Sequence, residues 1–146
     1  MFIATQLGDG FLPQERAWAV KCALEGFALG CLPAFRRWGL PPLYQSGVRF
    51  QLPPEHGSGV EFMKLPLYTY QDGWGDCDRL LIWWLCERWT QGKPASCSTY
   101  FLGGAMHVVG RMGTDGTGPL EDPSTRLGAK TPPGWPPRVP LIRSFR

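Results

Sequence analysis

Three residues in this chain have the types and spacing for covalent chemistry: Cys77, His107 and Asp122. Cys77 sits in Gly73-Trp74-Gly75-Asp76-Cys77-Asp78, directly before the apolar run Leu80-Leu81-Ile82-Trp83-Trp84-Leu85. This order predicts a thiol at the N-terminus of a buried helix, with Gly73 and Gly75 making the approach turn and Asp76 capping the first turn. The positive end of the helix dipole and a nearby imidazolium both favour the thiolate, which is the nucleophilic form. A Cys, a His and a carboxylate in this order can build an acyl-transfer site. Asp76 and Asp78 oppose the thiolate unless they turn away or are neutralised by Arg79 or the backbone cap.

The elements that must position these groups follow from pattern. The helix opened by Asp76 continues through Thr90 to a stop at Gly92, and its apolar residues cover nearly the whole circumference, so it is central. Ser96 to Leu102 and Ala105 to Met112 read as strands joined through Gly103-Gly104. Thr114-Asp115-Gly116-Thr117 is a hairpin signal, with Gly118 to Asp122 as the returning strand. With Asp115-Gly116 at the turn, Thr114 opposes Thr117 and Asp122 opposes Val109. His107 and Asp122 are then diagonal neighbours on one face, with Cα atoms within about 7 to 8 Å. A slip of one residue would put them on opposite faces.

Upstream, Pro13 to Cys31 predicts a mostly apolar helix broken near Gly30 and Pro33. Leu43 to Gln51 alternates as a strand, and Glu55 to Gln71 lacks a period and reads as structured loop. From Thr131 the chain changes character. Pro132-Pro133-Gly134-Trp135-Pro136-Pro137 predicts an extended, polyproline-like segment, and no acid follows Asp122. Residues 131–146 read as a basic arm that docks through Trp135, Arg138, Leu141, Ile142 and Phe145 onto a partner protein or a second copy.

Composition bounds the rest. With 146 residues, 43% hydrophobic and 18% charged, the chain fits one domain over residues 1–130 plus the arm. Gly 19 and Pro 15 predict many turns. A net charge of +3, with acids and bases mixed before residue 123, argues against electrostatic nucleic-acid binding. The cysteines, Cys22, Cys31, Cys77, Cys86 and Cys97, are odd in number and contain no C-x-x-C pair. Neither a disulfide framework nor a metal site is expected, and a reducing, intracellular setting is favoured. No window approaches the ~20 apolar residues of a membrane span, and the N-terminus lacks a signal pattern. Cys22, Cys31 and Cys86 fall in apolar helical runs and read as core; His56 reads as a solvated loop residue.

The motif residues carry a resemblance. Gly75-Asp76-Cys77-Asp78, Met106-His107-Val108-Val109, and Glu121-Asp122-Pro123-Ser124 followed by Arg126-Leu127-Gly128 resemble the transglutaminase-like branch of the papain-like cysteine peptidase superfamily. Pro42-Leu43-Tyr44-Gln45-Ser46-Gly47-Val48-Arg49-Phe50 is similar to small members of that branch encoded among bacteriophage structural genes. The similarity spans about residues 13 to 128. It implies an α+β fold with a papain/transglutaminase-like core, a central helix packed on a small antiparallel sheet. It implies Cys77 as nucleophile, His107 as general base and acid, and Asp122 as the group orienting His107. The Cys77 backbone N–H would contribute to an oxyanion hole. Gln71, six residues before Cys77, matches the oxyanion-hole glutamine of papain-type enzymes, and Trp74 would wall the cleft. No cofactor is implied; the substrate would be a peptide or amide. A non-catalytic particle component is the competing expectation, with other phage structural proteins as partners, made in the host cytoplasm and carried in the virion.

Overall fold

In the computed structural model, which describes residues 2–6, 12–54, 56, 60–102 and 105–131, the centre of the molecule is the helix that begins at Cys77. The architecture is α+β: one long helix, one central helix and small sheets. The central helix, α3 (Cys77–Thr90), is the fourth helix-forming stretch in chain order if the single 3-10 turn Leu43–Gln45 is included. Before it come β1 (Phe2–Gln6), α1 (Pro13–Trp38), β2 (Arg49–Phe50), β3 (Val60–Lys64), α2 (Pro66–Asp72) and β4 (Trp74–Gly75). After it come β5 (Ala95–Leu102), β6 (Ala105–Met112), β7 (Leu120–Glu121) and α4 (Pro123–Arg126).

Every side chain from Asp78 to Cys86 is buried, which the circumferential apolar pattern of α3 requires. Leu80, Leu81, Ile82, Trp83 and Leu85 are fully buried. At ~1.5–3 kcal/mol for each large apolar side chain removed from water, this one helix dominates the core energetics. α1 covers one side of it through Ala17, Leu24, Ala28, Cys31 and Phe35, a row at three-, four- and seven-residue spacings. On the other side lies the antiparallel sheet β5-β6-β7. Val108 and Met112 pack into this core, and a Cβ on Gly110 would meet the Trp84 ring at 2.5 to 2.7 Å. Gly110 is therefore a position where helix and sheet approach closely.

Three stretches differ from the sequence expectation. α1 does not break at Gly30 but runs through Pro33 to Trp38 and ends at Gly39, whose φ of 60° is left-handed. Proline forfeits the bond to the carbonyl of Leu29, and both residues lie on the exposed side, where water can serve that carbonyl. The expected strand at Leu43 to Gln51 is a 3-10 turn over Leu43–Gln45, and only Arg49–Phe50 pairs, in parallel with Trp74–Gly75. The expected loop from Glu55 to Gln71 contains β3, antiparallel to β1, and most of α2. Pro66 starts α2, where its missing N–H costs nothing, and Gly73 closes it at φ 78°.

α1, at 26 residues, is long and apolar enough to count as a candidate membrane span by length and composition alone, which is compatible with the expectation of no span. One row of it, Ala17, Leu24, Ala28, Cys31 and Phe35, is buried against the domain, while most of its surface is not. Lys21 pairs with Glu25, and the two grip the edge of β5: Lys21 Nζ donates to the Cys97 carbonyl at 2.8 Å and Glu25 Oε1 accepts from the Cys97 N–H at the same distance. Cys22, expected in the core, is on the exposed side of α1. The proline-rich arm residues Trp135, Arg138, Leu141, Ile142 and Phe145 lie outside the described residues.

Candidate active site

The hairpin that carries two of the three residues has the register its turn predicts. Gly110 pairs with Glu121 and Arg111 with Leu120, so continuing the ladder sets Asp122 across from Val109. β7 is shorter at both ends than the expected Gly118 to Asp122: it begins at Leu120 and stops at Glu121, because Asp122 leaves the strand to cap α4. His107 Nε2 and Asp122 Oδ2 are 2.8 Å apart. The two side chains are largely buried, at 17% and 5% exposure, so the pair is shielded from competing water.

Asp122 is held from several directions. Its Oδ1 accepts from the Ser124 N–H at 3.0 Å and, at 3.4 Å, from that of Thr125. Its Oδ2 accepts from the Thr125 hydroxyl at 2.9 Å as well as pairing with His107. Burial alone would push this carboxyl up, but the His107 hydrogen bond and charge, with the Thr125 donors, hold it below the ordinary carboxylate range. Because Nε2 is engaged by the carboxylate, Nδ1 is the nitrogen through which the ring can exchange a proton with a nucleophile.

Cys77 is the first residue of α3. Asp76 is the cap, its Oδ1 accepting from the Arg79 N–H at 3.2 Å, as the sequence predicts. The Arg79 guanidinium lies 3.9 Å from that carboxylate and 4.6 Å from the centre of the Trp74 ring, so one of the two acids beside the thiol is neutralised. The other is not turned away: Cys77 Sγ lies 3.7 Å from Asp78 Oδ1. A carboxylate at that distance favours the protonated thiol. Asp78→Asn is therefore expected to raise the rate of Cys77 alkylation by iodoacetamide at neutral pH, because the thiolate is the reacting form. An unchanged rate would show that Asp78 does not restrain the thiol.

The relation of Cys77 to the dyad follows from two anchors between α3 and the sheet. Trp89 Nε1 donates to the Ala95 carbonyl at 3.0 Å, and Trp84 lies over Gly110. α3 thus runs antiparallel to β5 and alongside β6. From Trp84 back to Cys77 is roughly 10 Å of helix, and from Gly110 back to His107 is roughly 10 Å of strand. Thiol and imidazole stand at the same end of the layer. By the two-residue alternation of an unbulged strand, however, His107 belongs to the row of Val109 and Arg111, not to the helix-facing row of Val108, Gly110 and Met112.

The remaining predicted residues are placed as follows. Gln71 is exposed near the end of α2, and Trp74 is half-buried between Arg79 and Lys64, the latter 5.9 Å from its ring centre. His56 is exposed. Among the described residues no three His, Cys, Asp or Glu side chains converge to hold a metal ion. Two residues of the site escaped the sequence reading. Thr125 bonds the acid, and Tyr100 pairs directly with His107 across the ladder and hydrogen-bonds the Arg111 guanidinium. The spacing Asp122-x-x-Thr125 was the available signal for the first, since a capped turn brings those side chains together. No family model, curated protein or solved structure matches the chain.

Proposed function

We propose that the chain is a transglutaminase-like thiol acyl-transfer protein with a papain-like core, of the kind encoded among phage structural genes. In this reading Cys77 attacks a carboxamide or peptide carbonyl, and His107 takes the thiol proton and returns it to the departing amine. The thioester on Cys77 is then resolved by water or by a second amine, whose proton His107 accepts. Asp122 orients the ring and stabilises its charged form. The observation that carries the reading is the 2.8 Å His107–Asp122 pair, held by three further donors and set at the same end of the layer as a helix-N-terminal thiol. The phage origin, a host-cytoplasm and virion location, and docking through residues 131–146 belong to the same proposal and rest on sequence resemblance.

A specific observation favours a second reading, that of a non-catalytic particle component. His107 lies in the strand row that alternates with the helix-facing one, where with Asp122 it can serve to fasten α4 to β6. Alkylation in a Cys22→Ser background separates the two, because Cys22 is the exposed competitor. Cys31, Cys86 and Cys97 are buried, and burial pushes the Cys97 thiol up to about 12. If the acyl-transfer reading holds, Cys77 reacts at least tenfold faster than these three, and His107→Ala lowers its rate about 100-fold, the low end of general-base contributions. Equal labelling of Cys77 in the His107→Ala variant would favour the fastening role.

A further inference from the structure

We propose that Thr125 is a positioning residue for the candidate site, its hydroxyl fixing which oxygen and which lone pair of Asp122 face His107. The inference builds on the acyl-transfer reading but can be tested without it. Oδ1 is saturated by the backbone N–H groups of Ser124 and Thr125, at 3.0 and 3.4 Å, which fix the position of the carboxylate but leave it free to tilt about the Oδ1 side. Oδ2 meets two partners, His107 Nε2 at 2.8 Å and Thr125 Oγ1 at 2.9 Å. The hydroxyl occupies one acceptor direction of Oδ2, so the other is directed at the ring. A methyl in its place would remove that constraint while preserving the shape of the side chain.

The consequence concerns the neutral ring. An Oδ2 aimed at Nε2 selects the tautomer with its proton on Nε2, leaving Nδ1 as the acceptor that a thiol proton requires. One other hydroxyl lies in the same cap, that of Ser124, which is buried without a hydrogen-bond partner, so Thr125→Val is compared with and without Ser124→Ala. Tyr100 and Arg111, on the same sheet face, bond each other, and Arg111 also reaches Ser98 and the Gly118 carbonyl. Arg126, on α4, pairs with Glu121 and lies over the Tyr44 ring. At the same end of the layer, Asp78 contacts Cys77.

The chain contains two histidines, so two-bond proton–nitrogen spectra can resolve the tautomers of His107. With the full chain labelled with nitrogen-15, the wild type and Thr125→Ser are expected to show the Nε2–H form. Thr125→Val is expected to shift the tautomer ratio about tenfold toward Nδ1–H, the effect of one charge-assisted hydrogen bond. A ratio in Thr125→Val equal to wild type, with folding intact by circular dichroism, overturns the proposal; so does failure of Thr125→Ser to restore it. Cys77 alkylation is measured in parallel on the wild type and on His107→Ala. A shifted ratio with Cys77 reactivity unaffected by His107→Ala upholds Thr125 and rejects acyl transfer. An unshifted ratio with reactivity lost in His107→Ala does the reverse.

Discussion

Gly118→Ala is expected to unlock the hairpin that holds Asp122 and to lower stability by about 3 kcal/mol, the upper end for forced overpacking. A Cβ at this position would fall on the backbone carbonyl of Met112, a group that cannot rotate away as a side chain can. The two strands meet there through the Met112 N–H, which donates to the Pro119 carbonyl at 2.9 Å, and through Arg111, whose Nη1 donates to the Gly118 carbonyl at 2.6 Å. Making room for the methyl group pulls both bonds apart. For a domain of this size the expected fall in Tm is about 10 °C. Gly116→Ala is the control, since Gly116 has a φ of 84° but open space around its Cα. It carries only the cost of a left-handed alanine, about 1 kcal/mol. Thermal unfolding followed by circular dichroism ranks the two; equal losses would show that backbone conformation, not the clash, governs the hairpin. The His107 tautomer signal should vanish in Gly118→Ala alone, because that substitution moves the strand leading to Asp122.

The proximity of His107 and Asp122 could be anticipated for a physical reason. The observed pairs Gly110–Glu121 and Arg111–Leu120 have the constant sum expected for a turn centred on Asp115-Gly116, although the connection between the strands is a wider bend over residues 113–119. Within the bend that joins the strands, Gly116 accepts the left-handed φ, and Asp115 accepts from both the N–H and the hydroxyl of Thr117. The start of α3 was equally legible, because Asp76 can cap only a helix that begins at Cys77. Contacts between residues distant in the chain were not. The parallel pairing of Arg49–Phe50 with Trp74–Gly75 and the antiparallel pairing of β1 with β3 involve strands too short or too irregular to show a period. The alternating residues of Leu43 to Gln51 mimic a strand, but the Leu43 N–H is claimed by Glu87 of α3 at 2.8 Å. The outward position of Cys22 was hidden because α1 is apolar on both faces. Which row of β6 faces α3 depended on Trp84 seating over Gly110, a tertiary contact that alternation alone does not reveal.

Asp122→Ala is expected to be the most damaging change within the site itself, and its pH dependence identifies the reason. The substitution removes the cap of α4, the acceptor of the Ser124 and Thr125 N–H groups, worth about 1 kcal/mol, and leaves the His107 ring and the Thr125 hydroxyl without their acceptor, at about 1–3 kcal/mol for each buried donor left unsatisfied. Asp122→Asn retains the capping oxygen, so the difference between the two variants isolates the cap. The carboxyl of Asp122 is held below its ordinary range in the folded protein. Its ionisation therefore contributes stability that is complete above the unfolded carboxyl value of about 4 and is lost as the pH falls through the lower folded value. Urea unfolding should show Asp122→Asn less stable than wild type by about 2 kcal/mol at pH 7, the strength of a hydrogen bond to a charged group. The gap should narrow steadily below about pH 4 as the wild-type carboxylate is neutralised. A gap of constant size from pH 7 to pH 3 would assign the effect to shape. In that case the charge of Asp122 would support neither folding nor a protonated His107.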